Sequence, residues 1–159
     1  MLKICLMSDN HGDEYSLQKV LIDNPACDYY IHCGDSLMSE DEIRPFISVK
    51  GNNDWQYDFP NERILNIGGH KILVLHGHRY TYSYDLLASK AKENGCDTIF
   101  YGHTHMFNDE TYDGIRMINP GSTNYNRDFS EPCYAIVTIE DDGTINVKRI
   151  NLIGDKYVL

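Results

Sequence analysis

Residues 2–12 read LKICLMSDNHG: an apolar run, Leu2–Met7, gives way at once to the polar cluster Ser8-Asp9-Asn10-His11-Gly12. A short apolar run bounded by turn residues is the pattern of a buried strand followed by a loop at its carboxyl end. The pattern then repeats. Leu17, Val20 and Leu21 recur at helical spacing, and Asn24-Pro25 stops that helix. Asp28–Cys33 reads as a second strand ending at Gly34-Asp35, and a helix is predicted around Glu40–Phe46. A third strand at Ile47–Lys50 ends at Gly51-Asn52-Asn53-Asp54. This half of the chain is β-α-β-α-β.

The second half changes character. Arg63–Ile67 and Lys71–His76 flank Gly68-Gly69 as an antiparallel hairpin, Tyr84–Glu93 predicts a helix, and Thr98–Tyr101 is a buried strand reaching Gly102-His103-Thr104-His105. Asp109–Tyr112 and Ile115–Ile118 flank Asp113-Gly114, and Tyr134–Ile139 and Ile145–Ile150 flank Asp141-Asp142-Gly143, two further hairpin signals. Parallel units followed by hairpins predict an α/β protein with a mixed sheet or two packed sheets.

Composition narrows the function classes. With 159 residues, 42% of them hydrophobic and 24% charged, and no repeat or linker, residues 1–159 are expected to form one globular domain. Fourteen Lys and Arg against 24 Asp and Glu give a net charge of −10, which weighs against a basic surface for nucleic acid or anionic membrane. Phosphate substrates are not thereby excluded, because bound metal supplies positive charge locally. Five cysteines, odd in number and without a CxxC pair, indicate neither a disulfide framework nor a zinc ribbon. The first apolar run is too short for a signal peptide or a membrane span, so a cytoplasmic location is expected.

The predicted strand ends carry Asp9 and His11, Asp35, Asn52, His76, and His103 and His105. Loops at the carboxyl ends of parallel strands converge on one crevice in open α/β folds, so groups scattered along the chain can meet there. In extended backbone a spacing of two points both side chains the same way, so each DxH or HxH pair is expected to grip one ion. Carboxylate, imidazole and amide oxygen suit borderline divalent metals such as Mn²⁺, Fe²⁺, Ni²⁺ or Zn²⁺, and the absence of thiolate argues against a purely structural zinc. These donors exceed what one ion needs; two ions sharing a bridging carboxylate would use them. Taken singly, each is an ordinary loop residue. Their common placement gives them chemical meaning.

Asp9-Asn10-His11, Gly34-Asp35, Gly51-Asn52-Asn53-Asp54, His76-Gly77-His78 and Gly102-His103-Thr104-His105 resemble the ordered DxH, GD, GNx(D/E), HGH and GHxH motifs of the calcineurin-like metallophosphoesterases. Asn119-Pro120-Gly121-Ser122 resembles the NPGS segment of their small single-domain, YfcE-type branch. The resemblance spans essentially the whole chain. It implies a four-layer α/β/β/α sandwich of two mixed β-sheets flanked by helices, with a dinuclear centre between the sheets. It assigns Asp9, His11 and His105 to one divalent ion and Asn52, His76 and His103 to a second, with Asp35 bridging them. It implies a phosphodiesterase that hydrolyses a small phosphodiester or nucleotide-like substrate through a metal-bound hydroxide, manganese being the first choice of ion.

One position departs from the pattern. Many relatives carry His after the ligand Asn, where it can protonate the leaving alkoxide; here that place is Asn53, whose amide is a poor acid. Asp54 is expected to orient its neighbours, and His78 to stand in as the acid. The alternative reading is a non-catalytic scaffold that keeps this fold for binding partners, as the metallophosphoesterase-like subunit of the retromer coat does. Two bound ions and a hydroxide would bring the charge only to about −7. A small phosphoester substrate, with no stable nucleic-acid or membrane partner, follows from that.

Other residues carry plainer expectations. His32 reads as core and His70 as the surface of a hairpin turn, and Lys50 as an ordinary strand-end lysine. Trp55, Tyr57 and Phe59, then Tyr80, Tyr82 and Tyr84, crowd behind ligand motifs. A homo-oligomer contact is the favoured reading, ahead of stacking on a base or aryl leaving group and of packing under long loops. The Asn119–Ser122 segment reads as architectural, supporting a ligand loop.

Overall fold

The computed structural model describes residues 1–80 and 83–152. β1 (Leu2–Met7) alternates its faces: Ile4 and Leu6 enter one hydrophobic cluster, Cys5 and Met7 another. β5 (His70–Leu75) divides in the same way, with Ile72 and Val74 on one side and Leu73 and Leu75 on the other. A strand apolar on both faces needs a covering layer on each. Both strands have one, and the result is an α/β/β/α sandwich.

The first five-stranded sheet has the order β10-β9-β1-β2-β3, comprising β1, β2 (Tyr29–His32), β3 (Ile47–Ser48), β9 (Cys133–Ile139) and β10 (Ile145–Asn151). β1 runs parallel to β2, with Ile4 opposite Tyr29, and antiparallel to β9, with Ile4 opposite Val137. The second sheet has the order β4-β5-β6-β8-β7, from β4 (Glu62–Ile67), β5, β6 (Thr98–Phe100), β7 (Phe107–Tyr112) and β8 (Ile115–Pro120). β5, β6 and β8 are parallel, and the hairpins add an antiparallel strand at each edge.

Three apolar layers fill the spaces. Ile4, Leu6, Ile31, Ile72, Val74 and Phe100 pack between the sheets. α1 (Glu14–Asp23) lays Leu17 and Val20 on the outer face of the first sheet, while α3 (Tyr84–Glu93) lays Leu87, Ala88 and Ala91 on that of the second. The Asp13 carboxylate caps α1 by accepting the Tyr15 and Ser16 N–H groups. All five cysteines are unpaired thiols. No helix among the described residues is long and apolar enough to cross a membrane.

Two predicted elements are shorter than expected. The helix predicted to Phe46 is α2 (Glu40–Ile43), held at its start by a Ser39/Glu42 capping box. It stops because proline bars the residue before it from helical geometry, and Arg44, preceding Pro45, turns to ψ 134°. The third strand pairs only over Ile47–Ser48, since the Lys50 N–H turns away to the Pro60 carbonyl at 2.8 Å. Tyr82 lies outside the described residues.

Candidate metal centre

The site lies where loops leave the carboxyl ends of parallel strands from both sheets. After β1 and β2 the pairing continues into the loops: Asp9 N–H donates to the Gly34 carbonyl at 3.1 Å and His11 N–H to the Asp35 carbonyl at 3.0 Å. From the second sheet come His76, next after β5, and His103 and His105, beyond β6. The Gly102 N–H donates to the His76 carbonyl at 3.1 Å, tying those two loops together.

The expected mechanism of convergence is corrected by the backbone. Asp9, His11, His103 and His105 have φ of 57°, 47°, 70° and 55°, and Asp35 has 58°, all left-handed rather than extended. Asp, Asn and His tolerate this region better than other L-residues, but it still costs on the order of 1–3 kcal/mol per residue. Left-handed backbone separates the members of the HxH pair. His105 joins Asp9 and His11, whereas the His103 ring packs edge-on against His76, centroids 5.2 Å apart.

Two triads can each hold one ion: Asp9, His11 and His105; and Asp9, Asp35 and His76. His105 Nε2 lies 3.1 Å from His11 Nε2 and 3.4 Å from Asp9 Oδ1. His76 Nε2 lies 3.3 Å from Asp35 Oδ2 and 3.7 Å from Asp9 Oδ1, and Asp35 Oδ2 is also 3.9 Å from His11 Nε2. Donors about 2.1 Å from a shared ion lie roughly 3.0–3.4 Å apart at octahedral or tetrahedral edges. The shortest of these separations match. Asp9 belongs to both triads, and Asp35 reaches toward a histidine of each.

Hydrogen bonding prepares the same atoms. His76 Nδ1–H donates to the Cys33 carbonyl at 2.8 Å, and His105 Nδ1–H to the Tyr125 carbonyl at 2.9 Å. Each ring therefore presents Nε2 to the centre, the tautomer a metal ligand needs. Asp9 Oδ2 accepts from the Ser8 hydroxyl and from the His103 N–H at 3.0 Å, which leaves Oδ1 facing the centre. Asp9 Oδ1 and His76 Nε2 are buried without a hydrogen-bond partner. Buried polar atoms are almost always paired, so this donor set fits a cation.

Charge follows the geometry. Burial works against ionisation of Asp9 and Asp35, but His105, His76 and the Ser8 hydroxyl outweigh it at Asp9. At Asp35 the opposing groups are His76 and Asn53, and both carboxyls end below the usual range. Burial likewise disfavours a charged His76, yet Asp35 and Asp9 raise it to about 9. Burial lowers His103, as do neighbouring His76 and His78, and His78 is lowered by burial, His76 and Arg79.

The Gly51–Asp54 loop supports this centre from beneath. The buried Asp54 carboxylate accepts three N–H groups, from Asp35 at 2.7 Å, Gly51 at 2.8 Å and Leu37 at 3.0 Å. Asn53 donates its backbone and amide N–H groups to the two oxygens of Asp35, both at 2.9 Å. Asn52 is exposed, and no side-chain hydrogen bond ties it to the cluster. His78 is half-buried beside His76, with Nδ1 unpartnered. Glycine is required at Gly51 and Gly102, where a Cβ would collide with the carboxylates of Asp35 and Asp9 respectively.

Further supports come from the Asn119–Ser122 segment, as expected of it, and from His32. Ser122 Oγ donates to the Asp9 carbonyl at 2.8 Å, and Asn119 Nδ2 reaches the Gly102 carbonyl at 3.1 Å and Thr104 Oγ1 at 2.9 Å. The Asn119–Ser122 segment thus braces both ligand loops. His32, wholly buried, donates Nε2–H to Asn10 Oδ1 at 2.9 Å and accepts the Gly34 N–H at Nδ1, 3.0 Å. The Tyr125 carbonyl that orients His105 is a backbone atom, and no side-chain signal in the sequence marks it.

Residues 2–142 match the calcineurin-like phosphoesterase superfamily domain. The chain is 40% identical over 146 residues to the probable metallophosphoesterase YsnB of Bacillus subtilis (strain 168), covering 89% of this chain and 86% of that protein. It is 30% identical over 143 residues to the phosphodiesterase MJ0936 of Methanocaldococcus jannaschii, covering 76% of this chain and 83% of that one. A conserved protein of Streptococcus pneumoniae TIGR4, described as a predicted phosphoesterase, superimposes with a TM-score of 0.81 at 27% identity, covering 95% and 98% of the two chains.

Proposed function

The chain belongs to the calcineurin-like phosphoesterase superfamily, and on that premise we propose that it is a dinuclear-metal phosphodiesterase acting on small phosphodiester or nucleotide-like substrates. One observation carries the reading: Asp9 Oδ1 and His76 Nε2 are buried, without a hydrogen-bond partner and 3.7 Å apart, in a site where His76 and His105 are each held at Nδ1 by a backbone carbonyl and so present Nε2. A scaffold for protein partners has no use for such atoms, since each costs on the order of 1–3 kcal/mol unless something pairs it.

Asp9, His11 and His105 would hold one ion, and Asn52, His76 and His103 the second, with Asp35 between them. When bound, the ions supply Lewis acidity to the phosphoryl oxygens and a water acidified to near neutral pH. The protein orients the donors. Cys33 and Tyr125 carbonyls fix two imidazoles, Asn53 fixes both Asp35 oxygens, and Asp54 fixes the backbone from which Asp35 projects. Asn53, with its amide N–H on Asp35, has no acidic proton to give a leaving alkoxide. His78 is the imidazole left to serve as that acid. Esters of good leaving groups, such as aryl alcohols, should therefore turn over much faster than simple alkyl esters.

The test is release of p-nitrophenol from bis(p-nitrophenyl) phosphate by protein loaded with Mn²⁺, Ni²⁺ or Zn²⁺, beside Asp35→Ala. The variant should lose both metal retention and turnover. Full activity in Asp35→Ala, or no metal-dependent release by the parent protein, would overturn the proposal.

A further inference from the structure

The loop that brings Asn53 to Asp35 continues into Trp55, Gln56 and Tyr57, and these line a groove of about 380 Å³ together with His11, Leu37 and Asn53. His11 and Asn53 belong to the centre itself, so groove and centre share a wall. The volume lies within the range of small-molecule sites.

The lining is an indole, a phenol, an isobutyl group and two amides beside the imidazole of His11. Among the described residues that line it there is no Lys, Arg, Asp or Glu. Such walls offer nothing to neutralise a second phosphate. They match a flat, neutral ring stacked on an aromatic face, with its polar edge hydrogen-bonded to amides.

Trp55 is 74% exposed, whereas Phe59, four positions on, is buried in the core beneath α1 and α2. The groove is held in place by the group that organises the centre. Leu37 stands at φ 54°, a left-handed conformation rare for a branched apolar residue, and its N–H is bound by Asp54. The other Asp54 oxygen binds the Asp35 N–H. One carboxylate thus sets the spacing between Leu37 in the groove and Asp35 in the centre.

Resting on the phosphoesterase reading, we propose that this groove receives the aromatic group of the phosphoester, a nucleobase or aryl ring, with Trp55 as its stacking surface. The preferred substrates are then esters of a nucleoside or aryl alcohol, not of glycerol or a sugar polyphosphate.

Trp55 is the sole tryptophan, so its fluorescence reports on the groove directly. The protein is titrated with adenosine 5′-monophosphate, phenyl phosphate and glycerol 1-phosphate. Saturable quenching by one or both aromatic ligands and none by glycerol phosphate is expected. Response to adenosine 5′-monophosphate alone identifies a nucleobase, and response to both identifies a general aryl site. Trp55→Ala should raise KM for bis(p-nitrophenyl) phosphate roughly 5- to 100-fold, with the larger part of the effect in KM, and Trp55→Phe should restore most of it. Metal-dependent turnover with no quenching and an unchanged KM in Trp55→Ala overturns the groove assignment and leaves the phosphoesterase reading intact. Saturable aromatic-specific quenching without turnover of any phosphodiester upholds the groove as a binding site and overturns the phosphoesterase reading. Emission that shifts with protein concentration alone, together with dimers in sedimentation, assigns the groove to a second copy and overturns the proposal.

Discussion

Asp54 touches no candidate ligand with its side chain except through backbone, yet three N–H groups from two loops end on its carboxylate. Replacing it with Asn turns one acceptor oxygen into a donor that must face an N–H. Hydrogen bonds to a charged group are worth about 1.5–3 kcal/mol each, so Asp54→Asn should cost about 2–4 kcal/mol and roughly 5–15 °C in Tm. Calorimetry together with a metal titration tests this: metal affinity should fall with stability, because Asp35 loses its anchor. An unchanged Tm would contradict the role. His32 makes a second prediction at this scale. Burial lowers it to about 4, and its neutral ring donates at one nitrogen and accepts at the other. A base with a depressed folded pKa stabilises fully above its unfolded pKa of about 6.5, and that contribution is lost as pH falls toward the folded value. Up to about 3 kcal/mol should disappear between pH 6.5 and 4. NMR in the metal-free protein should find the His32 ring neutral at pH 5; a ring titrating near 6.5 would refute the assignment. Both residues show what sequence can and cannot reveal. Asp54 was legible as an orienting group from its motif, and His32 as core from its strand. The N–H groups that Asp54 binds were not legible, because they depend on left-handed turns at Asp35 and Leu37 that no spacing rule records.

Among the elements, most strands were legible whether one face or both are buried: β1, β2, β4, β5, β6, β9 and β10 all stand within one residue of their predicted bounds, because apolar runs closed by turn residues mark both ends. β7 and β8 each run two residues beyond prediction, β7 starting at Phe107 and β8 ending at Pro120. α2 and β3 were overdrawn, since a proline and a departing N–H end them before their apolar residues do. His70, expected on the surface, instead joins the two sheets at the start of β5. Nδ1–H donates to Asp97 Oδ2 at 2.9 Å, and Nε2–H to the Gly143 carbonyl in the β9–β10 hairpin at 2.6 Å. Donating from both nitrogens requires the imidazolium. Burial opposes that charge, but Gly143 and Asp97 outweigh it and raise the pKa. A raised folded pKa gives stability that is fully present below the unfolded value of about 6.5 and is lost as pH rises through the folded one. His70→Gln should therefore cost about 1 kcal/mol near pH 5.5, kept small by the exposure of Asp97, and much less at pH 9. Urea titrations of both proteins at the two pH values test it, and a difference that grows with pH would reject the clamp.

At the scale of the whole molecule, the candidate centre joins two sheets that also meet through side-chain packing and through hydrogen bonds such as His70 to the Gly143 carbonyl. Asp9, His11 and Asp35 leave strands of the first sheet, His76 and His105 strands of the second. That convergence was legible because parallel strands share a carboxyl end, and a chain whose ligand types recur at each such end has one place to gather them. A cation that binds this arrangement and not the unfolded chain stabilises the fold by mass action, about 2.7 kcal/mol at a concentration one hundred times its Kd. For a chain of this length that is roughly 5–10 °C in Tm for one ion. Adding Mn²⁺ to chelator-treated protein should produce such a rise in a thermal scan, and excess chelator should reverse it. Asp35→Ala should abolish most of the rise, while Trp55→Ala, whose ring lines the groove outside the ligand set, should keep it in full. The pairing matters, because nonspecific screening of an acidic protein by a divalent ion would raise Tm in all three proteins alike. A rise of equal size in Asp35→Ala would place the ion elsewhere on the acidic surface, and no rise in the parent protein would mean that the two sheets are held together without it.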